Sequence, residues 1–386
     1  MFPISFAPKL IRSCTILLNI SKTYCCPPTP KPPVVTVLNA CSKIGKYVAL
    51  LLKQNPLIGE LRLYDKNGTV CAVAEDLSHI DTRTKVRSFG GSAVLKHAVA
   101  EVDIVVSVGG CKESSRESYK KLFEKNVDDV RSEALHMIEF NPKAVFCIAK
   151  PPIEALVPMV SEEFRKAGVY DSRKIIGITS VGSMRANYHI ANVTGQRAAD
   201  VICPIVGGLS TNCLVAVLSQ TKPKTTSPQI IPTVQKLIGE SEDDVLKLYA
   251  DCHTVCLSPA LAVARFVNTM LKALRGDTNC VDCAFVAQTG HIGQFLPYMT
   301  SIVRLGRYGI MSSHMPKISG DEAHRLKKAA VIIKDLIKMG ESFVTGEILD
   351  DSIQQNGSAQ KLQEAAQAQA TAASAFGKVQ SQQTSG

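Results

Sequence analysis

Short, mostly apolar runs separated by helical stretches recur along the chain from Val34 onward, and they point to a sheet whose strands are covered on both faces. Val34–Leu38 reads as a buried strand, Ile44–Lys53 as an amphipathic helix, and Leu61–Tyr64 as a second strand ending in Asp65. The alternation continues with a strand near Val86–Phe89, the run Ile104–Val108, a long helical stretch from about Ser115 to Glu139, and the strand Ala144–Ile148. Strands joined by crossover helices predict an α/β fold with a parallel, doubly wound sheet. After Pro151 and Pro152 come more helix and several irregular strands, so a mixed α+β domain is expected to follow. A final helix is announced by a capping box, Ser319 with Glu322 three residues on, and carries Leu326, Ala330, Ile333 and Leu336 on one face.

The body is flanked by segments of different composition. Residues 1–33 hold Lys9, Arg12, Lys22 and Lys31 but no acid, and interleave these cations with Phe2, Phe6, Leu10, Ile11 and Leu17. That pattern resembles a mitochondrial presequence, ending in a linker of Pro27, Pro28, Pro30, Pro32 and Pro33; a retained basic extension is the alternative. Beyond about Gln354 the chain turns to Gln, Ala, Ser and Thr, and residues 354–386 are read as a disordered tail whose Ala and Gln content permits a partner-stabilised helix. The expected organisation is therefore leader 1–33, first domain 34–178, second domain 179–345 and tail 354–386.

Composition excludes several classes. Removing the leader's four cations lowers the formal net charge from +10 to +6, and no basic run is interleaved with stacking aromatics, so nucleic-acid binding is not expected. The apolar stretch Thr15–Ile20 is interrupted by Asn19 and is far short of the roughly 20 residues a membrane-spanning helix needs. The thirteen cysteines are dispersed and read as reduced thiols. Two clusters, Cys252-His253 with Cys256 and Cys280 with Cys283, have spacings a zinc ion sometimes uses; small buried hydrophobes are the preferred reading, and no metal is expected.

Four stretches, PLIGELRLYD, AEDLSHIDTRTKV, HMIEFNPKAVFCIA and KAGVYDSRKIIGITSVGSMRAN, together with CPIVGG and ARFVNTML, resemble the mitochondrial type of malate dehydrogenase in the lactate/malate dehydrogenase family. The resemblance runs in order over roughly residues 34–345, and DLSHIDTR and GVY-x4-KI-x-G-x-T are its most specific parts. It implies a Rossmann-type first domain that binds NAD, a second domain that supplies an acid–base pair and a substrate-clamping arginine, and a homodimer.

Against that family pattern the site is depleted. The phosphate loop, expected to carry glycine at its first, fourth and seventh positions, reads Asn39-Ala40-Cys41-Ser42-Lys43-Ile44-Gly45. Asn39 tolerates a left-handed turn, whereas Ser42 replaces a glycine that lets a pyrophosphate approach the backbone. Lys43 offers either phosphate attraction or a solvated charge. Asp65 keeps the position of the ribose-binding acid, its alternative being a surface turn. NAD binding is thus expected to be possible but weakened.

Leu209 stands where the resemblance places the proton-accepting histidine, and Gly182 where it places the aspartate that orients it. Glu113 and Tyr119 fall at the two loop arginines, and Pro151 at an asparagine that would bind substrate and nicotinamide. Arg185 is retained, either to clasp one carboxylate or as a member of an ion pair. Lys112 and Arg116 read as loop cations, His189 as a structural histidine one turn beyond Arg185, and Pro259 replaces a methionine near the nicotinamide. Loss of acid–base assistance costs about 10²- to 10⁴-fold, and each unpartnered buried substrate charge roughly 2 to 5 kcal/mol. Those losses remove most of the roughly millionfold acceleration that an enzyme minimally needs. The sequence therefore predicts a catalytically silent relative acting in the mitochondrial matrix, as a homodimer or a heterodimer with an active relative, with uncertain affinity for a small dicarboxylate. The alternatives are a dehydrogenase with a rearranged site and a nucleotide sensor without turnover.

Overall fold

A computed structural model of the chain describes residues 31–114, 117–224, 231–249 and 254–346. Residues 1–30 of the leader, the tail, Arg116, Cys252 and His253 lie outside the described residues.

The first half builds β1 (Val34–Leu38), α1 (Lys43–Lys53), β2 (Glu60–Asp65), α2 (Val70–Ser78), β3 (Lys85–Gly90), α3 (Leu95–Val99), β4 (Ile104–Ser107), α4 (Tyr119–Phe140), β5 (Val145–Ile148), α5 (Ile153–Lys166) and β6 (Ile175–Ile178). Every residue of β1, β4, β5 and β6 is buried, as expected of strands sandwiched between helical layers. They pair in parallel in the order β3-β2-β1-β4-β5-β6. The order reverses between β1 and β4, and the crevice beyond the carboxyl ends of these strands is where a doubly wound sheet receives a ligand.

The second half supplies α6 (Ser180–Thr194), β7 (Ile205–Gly207), β8 (Leu214–Ala216), α7 (Ile231–Leu248), α8 (Leu257–Leu274), β9 (Val281–Ala287), α9 (Gly290–Phe295), β10 (Tyr298–Gly306), β11 (Gly309–His314) and α10 (Gly320–Thr345). This mixed half extends the same sheet. Strand β9 lies antiparallel beside β6, with Gly177 opposite Phe285, and β10, β7 and β8 continue the row. A Cβ on Gly177 would sit 3.0 Å from Phe285 Cβ and 3.1 Å from Val157 Cγ2, so a glycine brings the two strand systems into register.

Helices cover both faces. Phe123 and Met137 of α4, Leu156 and Val160 of α5 and Ile333 of α10 pack on one side, and Val48 and Leu52 of α1 with Phe266 and Met270 of α8 on the other. Helix α10 starts with both reciprocal bonds of the predicted capping box, and Leu326, Ala330, Ile333 and Leu336 are buried. Among the described residues no helix is long and apolar enough to cross a membrane.

Candidate functional site

The loop after β1 retains its tight geometry without two of the expected glycines. Asn39 takes the left-handed conformation at φ +58°, which asparagine adopts at small cost. Ser42 stands where the expected glycine would let a pyrophosphate approach the backbone. Its hydroxyl folds into the loop, donating to Asn39 O at 2.7 Å and accepting the Gly45 N–H at 3.0 Å as the cap of α1. Gly45 is sterically required, because a Cβ there would lie 2.3 Å from Asn39 O.

Asp65, at the end of β2, accepts the Cys41 N–H through Oδ2 and the Asn67 N–H through Oδ1, both at 2.9 Å. It braces the loop from the position at which the resemblance places a ribose-binding acid. The exposed start of α1 and the Asp65 carboxylate fit the adenosine and pyrophosphate end of NAD, which when bound would supply hydride chemistry.

At the other end of this edge the chain places charges of its own. Lys150, directly after β5 and 1% exposed, donates to Glu133 Oε1 at 2.9 Å. Glu133, 3% exposed on α4, also accepts Asn39 Nδ2 at 3.0 Å and Ser107 Oγ at 2.5 Å. Asp129, one turn earlier, lies 3.8 Å from Lys150 and is bound by Lys66. A buried ion pair thus ties together the ends of β1, β4 and β5, beside the switch point of the sheet.

The two positions expected for the acid–base pair do meet. An ideal Cβ on Gly182, in the first turn of α6, would be 3.3 Å from Leu209 Cδ1, 2.7 Å from Leu214 Cδ1 and 2.8 Å from Ile205 Cδ1. The space is filled by aliphatic carbon, with no proton-carrying group between them. Behind Leu209 lies a carboxylate the sequence reading passed over. Glu154 of α5 is fully buried, and its Oε1 accepts the N–H groups of Leu209 at 2.7 Å and Ser210 at 2.9 Å. Its Oε2 has no hydrogen-bond partner. Gly208 leaves room for it, since a Cβ there would be 2.5 Å from Glu154 Oε1.

Tyr119, in the first turn of α4, shares this environment. Burial, reinforced by Cys213 and Glu154, pushes its phenol well above the usual range, against the opposing pull of the Thr211 and Ser210 hydroxyls. The Pro151 carbonyl accepts Asn126 Nδ2 at 2.6 Å, and the same amide donates to Gly110 O at 2.9 Å, binding the segment after β4 to the start of α5.

The site's cations are already engaged. Arg185, one turn beyond Gly182 and 13% exposed, contacts Glu242 Oε2 at 3.2 Å, which realises the ion-pair reading. Lys112 is 12% exposed and bonded to Asp243 Oδ1 at 2.6 Å, so it is no solvated loop charge. Glu113, at one of the two loop-arginine positions, lies 67% exposed in a pair with Lys125. His189 hydrogen-bonds through Nε2 to Ser241 Oγ at 2.8 Å. Burial, followed by Arg185, lowers its pKa, so it is a neutral structural group at pH 7.

Cys111 is pushed up to about 12, first by burial and then by Glu242. Cys280 and Cys283 are buried free thiols of the β9 region. Among the described residues no group of three histidine, cysteine or acidic side chains could hold a metal ion. Glu133, Lys150, Glu154, Glu242 and Asp243 escaped the sequence reading. A signal existed for the first, because Glu133 falls on the stripe of Asn126, Val130, Ala134 and Met137 that α4 buries.

Residues 34–177 match the lactate/malate dehydrogenase NAD binding domain, and residues 179–344 the alpha/beta C-terminal domain of the same family. The chain is 34% identical over 316 residues to the mitochondrial malate dehydrogenase of Caenorhabditis elegans, covering 81% of this chain and 92% of that protein. It is 35% identical over 312 residues to that of Felis catus, covering 80% and 91%. A peroxisomal malate dehydrogenase of Arabidopsis thaliana is 35% identical over 311 residues, covering 80% and 87%. In fold the chain is similar to the malate dehydrogenase from Aeropyrum pernix, with a TM-score of 0.68 at 18% identity over 79% of this chain and 97% of that one. It is equally similar to the Cryptosporidium parvum lactate dehydrogenase complexed with lactic acid and NAD, with a TM-score of 0.68 at 16% identity over 81% and 98%.

Proposed function

Because the chain belongs to the lactate/malate dehydrogenase family, we propose that it is a malate dehydrogenase-like protein that keeps the family's fold but is catalytically silent toward malate. The observation that carries this reading is the aliphatic contact between Leu209 and the Gly182 position, where a proton relay would have to work. The engagement of Arg185 by Glu242 and of Lys112 by Asp243 supports it, since both cations are neutralised before a dicarboxylate arrives.

NAD binding is retained but weakened in this reading. Asp65 and the start of α1 hold the adenosine end, while Asn39 is drawn toward Glu133 and Pro151 offers no side-chain donor at the other end. The protein acts structurally or in regulation, as a homodimer or paired with an active relative. The presequence-like leader and the mitochondrial relatives favour the mitochondrial matrix, while other relatives are peroxisomal or glyoxysomal. Incubation with NADH and oxaloacetate, then with a panel of 2-oxo acids, is expected to show no oxidation above buffer at micromolar protein. Turnover approaching that of an ordinary malate dehydrogenase would overturn the proposal. A melting shift with millimolar NAD or NADH reports the nucleotide separately, and pull-down of the tagged protein from mitochondria identifies its partner.

A second reading is an NAD-dependent malate dehydrogenase, or a related 2-hydroxy-acid oxidoreductase, with a rearranged site. Similarity to malate dehydrogenases over four-fifths of the chain favours it, as does the unpartnered oxygen of Glu154 beside Leu209. In that case Glu154→Gln abolishes the oxidation of NADH by a 2-oxo acid, while the folded protein still binds the nucleotide.

A further inference from the structure

Two adjacent carboxylates of α7 meet two cations from different parts of the fold. Glu242 reaches Arg185 of α6 at 3.2 Å, and Asp243 reaches Lys112 of the segment after β4 at 2.6 Å. Side-chain exposures of 13% for Arg185 and 12% for Lys112 show that both cations are largely withdrawn from water. A cation so placed needs an anion, because burial without a countercharge is strongly unfavourable.

The Arg185 pair is anchored beside the Leu209–Gly182 contact. Arg185 lies one turn from Gly182, whose Cβ position touches Leu209. Lys112 follows Gly110 and Cys111, and Gly110 is tied through Asn126 to Pro151. Glu242 is felt at Cys111, which places both acids against the same segment.

We infer that Arg185 and Lys112 form a two-part anion site for a small dicarboxylate, occupied in this protein by its own Glu242–Asp243 as a tethered diacid. The two neighbouring side chains supply the pair of negative charges a free diacid would bring, and they do so at the high effective concentration of an intramolecular contact. A free dicarboxylate must displace both, so wild-type affinity for such molecules is low. The inference deepens the proposed silence toward malate by naming what fills the site, and it rests on that reading only in placing Arg185 at the pocket.

The test compares wild-type protein with E242Q/D243N, using malonate as the probe in titration calorimetry. The variant is expected to bind malonate at least tenfold more tightly than wild type, with acetate showing a smaller gain. Adding R185Q should erase the difference. Equal malonate affinity in wild type and E242Q/D243N overturns the inference, as does a gain that survives R185Q. If the double variant fails to fold, as judged by circular dichroism, the single variants E242Q and D243N are read the same way, each expected to show part of the gain. Turnover of oxaloacetate by the wild-type protein would sink the proposed function, whereas these binding results are independent of any turnover and judge the diacid alone.

Discussion

Replacing Lys150 alone should harm the protein far more than replacing it together with Glu133. The ammonium is 1% exposed and lies 2.9 Å from a carboxylate that is 3% exposed. In Lys150→Met the Glu133 carboxylate keeps the neutral donors Asn39 and Ser107 but loses its countercharge. Breaking a buried pair in this way costs about 3 to 5 kcal/mol. In K150M/E133L no buried charge remains, and replacement of such a pair by apolar groups is neutral to stabilising by about 1 to 4 kcal/mol. Loss of the acceptor for Asn39 and Ser107 takes back about 1 to 3 kcal/mol. The double variant should therefore be more stable than the single one by about 2 kcal/mol or more. Urea unfolding followed by far-ultraviolet circular dichroism reads the difference. With a slope of about 3 kcal/mol/M, Lys150→Met should lower the midpoint by roughly 1 to 1.5 M, and Glu133→Leu should recover at least half of that. A midpoint for Lys150→Met within about 0.3 M of wild type, or a double variant no better than the single one, would refute the assignment of a buried, mutually dependent pair.

Restoring the acid–base residues should not be simple. In L209H/G182D the new aspartate meets Leu214 and Ile205 less than 3 Å from its Cβ, and overpacking of this kind costs about 1 to 3 kcal/mol; the variant should melt below wild type and gain little turnover of oxaloacetate unless those leucine and isoleucine side chains are also shortened. Burial raises the Asp282 carboxyl to about 6, opposed by the Cys283 N–H and the Ser180 hydroxyl. A raised acid favours the fold below its unfolded pKa and loses that contribution as pH rises from about 4 through 6, so Asp282→Asn should stabilise the protein by about 1 to 2 kcal/mol at pH 7.5 and much less at pH 4.5, as read by paired urea curves. Ser319→Ala removes one arm of the α10 capping box and should cost about 1 kcal/mol, a melting-point drop of roughly 2 to 4 °C by calorimetry.

Strands β1, β4, β5 and β6 of the parallel half were legible because they are buried on both faces and so appear as mostly apolar runs, each followed by a helical period. Ser319 and Glu322 announced α10 for a similarly local reason, since a capping box is complete within four residues. The pocket was legible only as a set of missing groups. Leu209 and Gly182 could be named from the motifs around them, but their contact depends on β7 and α6 converging across the sheet. The replacements were hidden for the same reason. Lys112 and Asp243 are separated by 131 residues and Arg185 and Glu242 by 57, so no local pattern joins them. The capping role of the Ser42 hydroxyl was hidden too, because a one-letter sequence does not say whether a hydroxyl turns outward or caps its own helix.

The seam at Gly177 has a mechanical implication. With β6 bonded directly to β9, one continuous ladder of peptides runs beneath both the nucleotide edge and the pocket around Leu209. The two halves therefore share a floor. Adjustment to an arriving molecule then falls to what lies above the sheet, chiefly residues 109–114 and the acidic turn of α7 that is paired with Lys112. Mutations that shift affinity without touching a ligand should accordingly cluster in those two segments, and the strands below should tolerate little change of any kind.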